Sequence, residues 1–336
     1  MSNSTSTTLT TQFKYSNANE AAEAGDLEEL KRMFAAGFEL FGVLHNSPNF
    51  NRTRQTFNVC HTAAAKGHLD CLKWAHENGC TIGNSYSAAK NGHLDCLRYC
   101  IENTNIRDLL TTAYAAENGH LDCLRFAVEH GCQLNIITMA WAAAKGHLDC
   151  MKFAHENGYR WNSDNDIFSC QNGYLPTVHA AKNGHLNCLQ YAHEVCGFPF
   201  EDCIGNSIQS AASNGHLDCL QYAHKKGCGW GETTTLVASK NGYLDCLRYV
   251  IENGCEWDED TVNDTICIQN HKGGKRWNEK LDCIRYAIDN GCTFDDKNED
   301  IQELIFSLSQ IKKCSTKSFE NNLSGNVINH VIAKYI

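Results

Sequence analysis

Several features that would define other kinds of protein are missing from this chain. No run of apolar residues reaches the ~20 needed to cross a bilayer as a helix. The residues after Met1 lack the charged start and apolar stretch of a secretory signal. A basic excess is missing as well. Lys and Arg number 29 against 39 Asp and Glu, a formal charge of −10, whereas general nucleic-acid binding needs a basic face. There is no phosphate-cradling P-loop pattern. No nucleophile, base and orienting group stand apart together from the rest of the sequence. These absences lead us to expect an intracellular, cytoplasmic protein that is not an enzyme, with neither membrane nor nucleic acid among its partners.

What the chain has in excess is one phrase. Gly67-His68-Leu69-Asp70-Cys71-Leu72 returns at Gly92, Gly119, Gly146, Gly184 and Gly215. It returns again at Gly242 with Tyr243 in place of the His, and leaves a trace at Leu281-Asp282-Cys283-Ile284. His68 to His93 is 25 residues, and His93 to His120, His120 to His147 and His216 to Tyr243 are 27 each. A phrase at a fixed period is one structural unit copied in series, and this period fits two short helices and a turn.

Local chemistry supplies both helices. A small-residue pair precedes each Gly, as in Ala63-Ala64, Ala88-Ala89 and Ala115-Ala116. Ala favours the helix and lets a neighbouring helix approach closely. The Gly ends this first helix by taking the left-handed conformation. Leu69, Leu72 and Ala75 then lie on one face of a second helix. Asp70 sits in its first turn, where a negative charge suits the macrodipole. Asn78-Gly79 ends it, as do Asn157-Gly158, Asn253-Gly254 and Asn290-Gly291. A large apolar residue follows at Ile82, Leu134, Trp161, Phe200, Trp230, Trp257 and Phe294, and is expected to anchor the connecting loop.

The pattern Ala-Ala-x-x-Gly-His-Leu-Asp-x-Leu-x-x-Ala-x-x-x-Gly resembles the ankyrin repeat, over about residues 17–294. The wording from Trp74 to Cys80 is similar to the short-period ankyrin proteins expanded in protists and large DNA viruses; a viral chain would act in the host cytoplasm. The family's Thr-Pro-Leu-His opening is nearly absent, Leu175-Pro176-Thr177-Val178 being its nearest remnant. The period is also shorter than the family's ~33 residues, so tight loops are expected rather than long fingers. The resemblance implies an all-α solenoid of about nine to ten repeats, a monomer, and a scaffold that binds an unknown protein partner through a concave face. An adaptor for a ubiquitin ligase is the alternative it suggests. In the family, the His of the Gly-His turn serves loop hydrogen bonds.

The expected organisation is a disordered segment at 1–15, a solenoid at 16–294 and a helical cap or tail at 295–336. Irregularities fall at 41–56, 162–184 and 269–279. In the second, Asn172-Gly173-Tyr174-Leu175 reads as the start of a second helix, yet Pro176 is tolerated only in a helix's first turn. A lost outer helix or a duplicated first helix would account for it, and either would bend or break the stack.

Cysteine is abundant, at 20 residues, and eight of these fill one helix position: Cys71, Cys96, Cys123, Cys150, Cys188, Cys219, Cys246 and Cys283. Equivalent positions on stacked helices lie ~8–10 Å apart, too far for a disulfide, so Cys reads as a small buried apolar residue. His68-x-x-Cys71 and His76-x-x-x-Cys80 have zinc-like spacings. They arise from the repeated phrase and recur outward along the array rather than converging, so no metal, cofactor or catalytic residue is assigned; a Cys/His metal-binding or redox protein remains the least favoured reading. The binding candidates are positions that vary between copies: Tyr86, Lys90, Glu117, Lys182 and Lys240 on the first helices, and Lys275 and Trp277 in the Gly273-Gly274 insertion.

Overall fold

The computed structural model describes residues 13–40, 58–83, 85–105, 107–160, 175–200, 207–267 and 277–293. Every regular element among them is a helix, and none is a strand. The chain divides into two compact units, Met1–Arg160 and Trp161–Ile336.

In the first unit the helices alternate between a first and a second kind. First helices are α1 (Ala18–Glu23), α3 (Val59–Lys66), α5 (Tyr86–Lys90), α7 (Leu109–Glu117) and α9 (Ile136–Lys145); second helices are α2 (Leu27–Ala35), α4 (Leu69–Glu77), α6 (Leu94–Glu102), α8 (Leu121–Glu129) and α10 (Leu148–Glu156). Each first helix packs on its own second helix and on the first helices before and after it, and the second helices form their own row. The second unit repeats the plan. Its first helices are α11 (Pro176–Asn183), α13 (Ser207–Asn214), α15 (Thr234–Lys240) and α17 (Thr261–Cys267); its second helices are α12 (Leu186–Glu194), α14 (Leu217–Lys225), α16 (Leu244–Glu252) and α18 (Trp277–Asp289).

The repeated phrase builds the joints between copies. Gly67 closes α3 with φ 81°, a conformation only Gly adopts freely. A second reason for Gly lies in the next copy. A Cβ added to Gly67 would meet the His93 ring at 2.6 Å, and one added to Gly119 would meet His147 at 2.6 Å. His68, His93, His120, His147 and His216 therefore lie over the Gly of the copy before. From there the ring also bonds the end of the earlier first helix: His68 Nε2 lies 3.1 Å from the Glu23 carbonyl oxygen, and His93 and His216 bond the backbone of Ala65 and Lys182. These carbonyls are among the orphans of a helix C-terminus. The loop hydrogen bond expected of the Gly-His turn thus runs between copies.

Buried hydroxyls add a second joint. Ser85 Oγ lies 2.8 Å from Thr111 Oγ1, and Thr112 Oγ1 lies 3.2 Å from Thr138 Oγ1. In the second unit Thr235 pairs with Thr261 at 3.2 Å, and Thr265 donates to Ser239 at 3.0 Å. The Thr-Pro opening is missing as a motif, yet Ser and Thr near the start of the first helices tie neighbours together.

The Ala pairs are fully or almost fully buried, and so are all eight repeated cysteines, none above 2% exposed. Burial, helped by the adjacent acid of each phrase, pushes the Cys71 thiol up to about 11 and Cys123, Cys150 and Cys246 to about 12. They are protonated apolar packing groups, as their position in the phrase implied.

At the break, Pro176 is the first residue of α11 and Leu175, in extended backbone, is its N-cap. Leu175 therefore opens a first helix and does not belong to a second one; residues 172–174 lie outside the described residues. The insertion at 269–279 ends earlier than its sequence suggests. Helix α18 begins at Trp277, four residues before Leu281, where the phrase places the start. The last pair closes over Val262, Ile266, Leu281, Ile284, Ala287 and Cys292. The 1–12, 41–57 and 294–336 segments lie outside the described residues, and with them the disorder, loop and tail expected there.

Candidate functional site

The first helices of the first unit bring four rings into one file. His61 on α3 and Tyr86 on α5 have centroids 6.2 Å apart, Tyr86 and Tyr114 on α7 5.3 Å, and Tyr114 and Trp141 on α9 5.1 Å. Such spacings are those of attractive aromatic pairs. The rings stand five or six residues before the closing Gly and one or two ahead of the buried Ala pair; Tyr114 and Trp141 are half-buried and Tyr86 is buried. Lys90 Nζ lies 5.1 Å from the Tyr114 centroid, a cation–π contact.

The seven sequence-derived candidates fare differently. Lys90 is exposed, and Glu117 is half-buried one turn beyond Tyr114. Tyr86, at 8% exposure, is a correction: its ring is packed between His61 and Tyr114 and supports the file rather than offering a free surface. Lys182 on α11 is exposed, and Lys240 on α15 is engaged by Asp264 at 3.0 Å. Lys275 lies outside the described residues, and Trp277 is placed only as the first residue of α18. Tyr114 and Trp141 were not among the candidates taken from the sequence. Aromatic residues at nearly the same offset in consecutive copies were the available signal.

Burial lowers the pKa of His61 and raises that of Tyr114, so both are neutral at pH 7. Ser87 Oγ lies 3.2 Å from the His61 ring nitrogens and orients it. The file offers apolar faces with a few polar edges, which suits recognition rather than bond making.

The second helices carry a different ladder, one that sequence reasoning missed. In four of the phrases the Lys or Arg after the second Leu reaches over the ring of the next copy. Lys73 lies over Tyr99 at 5.9 Å, Arg98 over Phe126 at 4.5 Å and Arg125 over Phe153 at 4.8 Å; in the second unit Arg248 lies over Tyr286 at 5.3 Å. The helix-end histidines join it: His76 Nδ1 is 2.9 Å from the Tyr99 hydroxyl, and His224 Nδ1 is 3.0 Å from that of Tyr249. Trp230 stacks on His224 at 4.2 Å and Trp257 Nε1 donates to the Asn290 carbonyl at 3.1 Å. At Trp257 the apolar slot is thereby anchored on the next copy, and at Trp230 on its own copy's His224; Trp161 and Phe294 lie outside the described residues. The rings of this row are engaged by their neighbours.

Among the described residues no three His, Cys, Asp or Glu side chains converge to hold a metal ion. One thiol differs from the others. Cys80 Sγ accepts from the Cys60 backbone N–H at 3.4 Å at the start of α3, and the Cys60 thiol, that N–H and the Val59 N–H hold its pKa down.

Three copies of the ankyrin-repeat family model match this sequence, over residues 60–138, 114–193 and 139–223. The chain is an ankyrin-repeat protein. Ankyrin repeats generally mediate protein–protein interaction, and the family is typically non-catalytic. Among solved structures, the human ASB11 ankyrin repeat domain is similar at 19% identity over 62% of this chain and 97% of its own length, with a TM-score of 0.46. No curated protein matches. No described helix of the ankyrin chain is long and apolar enough to cross a membrane.

Proposed function

We propose that this ankyrin chain is a protein-binding scaffold without catalytic activity, and that its contact surface is the file on α5, α7 and α9, centred on Tyr114 and Trp141. One observation carries the reading. These rings are stacked and held in place, yet remain half-exposed on the helix row whose other exposed positions vary from copy to copy. Rigid aromatic residues are the usual anchors of interfaces, and loss of a central one commonly costs 2 kcal/mol or more. Four rings of the second helices lie under a Lys or Arg of the preceding copy, a contact that only Tyr114 shares within the file.

The test is affinity capture from lysate with the intact chain and with a Tyr114→Ala/Trp141→Ala variant of unchanged helicity. A prey enriched by the first and lost with the second supports this face. A prey that persists moves the contact elsewhere, and no enriched prey sinks the scaffold reading. A ligase subunit retained by the full chain and lost on deleting 295–336 would favour the adaptor alternative.

A further inference from the structure

We propose that the aromatic file of the first unit receives an acidic segment of another protein, one that sets Asp or Glu residues on either side of an apolar anchor. The proposal rests on the binding reading above and names the chemistry of the partner.

Charge is segregated between the helices that bear the rings and the second helices beside them; α1, at the end of the row and outside the file, carries Glu20 and Glu23. The first helices α3, α5, α7 and α9 carry Lys66, Lys90 and Lys145 against the single acid Glu117, a net +2. The second helices α4, α6, α8 and α10 each carry one Asp and one Glu against one Lys or Arg, a net −4 over the four. The whole chain stands at −10. The ring-bearing row is therefore a basic strip on an acidic molecule.

The lysines are placed to matter. Lys90 lies on the Tyr114 ring, and Lys145 is exposed one turn past Trp141. Among the described residues neither has an acidic partner, whereas Lys66 is paired with Glu23 at 2.7 Å. A carboxylate arriving at either lysine needs no ion pair to be broken. An acidic segment is drawn to this row and repelled by the other, which orients it before contact. The rings then supply the apolar pocket that holds an anchor.

The same residues disfavour a nucleic acid. The row has no Arg, the usual stacking cation, and Glu117 interrupts it beside Tyr114. A phosphate backbone brings a charge at every step and would meet that carboxylate. A peptide can set its apolar anchor there instead.

The experiment pans a display library of random peptides, about a dozen residues long, against the full chain. The enriched peptides are then measured by fluorescence anisotropy. We expect them to be net negative and to contain at least one aromatic or aliphatic residue. Affinity should fall at least ~10-fold between about 50 and 500 mM salt, and at least ~10-fold in Lys90→Glu/Lys145→Glu, while Lys152→Glu on α10 changes it little. Enriched peptides that are neutral or basic, no enrichment, or equal binding by the charge-reversed variant would overturn the proposal. If neutral peptides still lose affinity in Tyr114→Ala/Trp141→Ala, the binding face stands and only its acidic preference falls. If binding ignores the rings, both readings fall. An oligothymidylate bound as tightly as the peptides also overturns it.

Discussion

The two units share a framework and differ in the surface built on it. Gly119 in the first and Gly184 in the second are both covered by the next His, with an added Cβ reaching the ring at 2.6 and 2.5 Å. Both units pair buried hydroxyls between first helices, and both set a basic residue over the next ring. The positions just before the Ala pair do not agree. In the first unit they hold Thr62, Ser87, Tyr114 and Trp141, in the second His179, Ser210 and Val237, so only the first unit sets large aromatic rings there. Geometry that recurs is needed for stacking, and side chains that change at a fixed geometry are free to serve recognition.

The comparison breaks most visibly at the glycines, which should behave alike in both units. Gly119→Ala and Gly184→Ala each force a left-handed backbone on a side chain, about 1–2 kcal/mol, and press a Cβ into an imidazole. Each should cost roughly 2–4 kcal/mol in urea unfolding. Gly131→Ala, at φ 90° with nothing within 4 Å, should cost only the backbone share. Equal costs at all three would remove the His ring from the account.

Next comes the face, where the units should part. Tyr114→Ala/Trp141→Ala should weaken a captured partner by about 30-fold or more, roughly 2 kcal/mol. Ser210→Ala/Val237→Ala should leave binding within ~2-fold. A larger loss in the second unit would relocate the contact surface.

The ladder of the second helices is a smaller effect. Arg98→Ala removes a cation from the Phe126 face and should lower stability by about 0.5–1 kcal/mol. Arg248→Ala over Tyr286 should match it. A null result in both would mean that the contacts are formed but energetically silent.

The mildest test uses pH. Burial depresses the pKa of His93 in one unit and His216 in the other, so folding favours their neutral forms. The unfolded chain takes up protons as pH falls through ~6.5, and the folded chain lags behind. Their contribution is therefore whole above that pH and is lost as pH falls through the lower folded values. His93→Tyr copies what stands at Tyr243 and should flatten the acid side of a melting-temperature profile. An unchanged profile would show that other groups set it.

How much of this could be read in advance follows from where the information lies. The helix pairs were legible because Gly, the Ala pair and the Leu stripe are local and recur. The burial of the cysteines followed from their fixed place on the second helix. The ring file was only half legible. His61 and Tyr86 stand six residues before their Gly, Tyr114 and Trp141 five, so alignment by phrase separates rings that space joins. The cation–π ladder escaped because Lys73 and Tyr99, or Arg98 and Phe126, belong to different copies. A sequence pattern read one copy at a time omits every contact between copies.

The Gly-His pair has a consequence for how such a chain can lengthen. Its Gly is the seat for the ring that follows, and its His is the ring that fills the seat before. Donor and recipient are thus written side by side in every copy that keeps the Gly-His pair. A segment one period long, duplicated and spliced between two copies that keep the pair, arrives already fitted to its neighbours on either side. Lengthening then needs no matched change elsewhere, and the surface positions of each new copy are free to diverge from the first day.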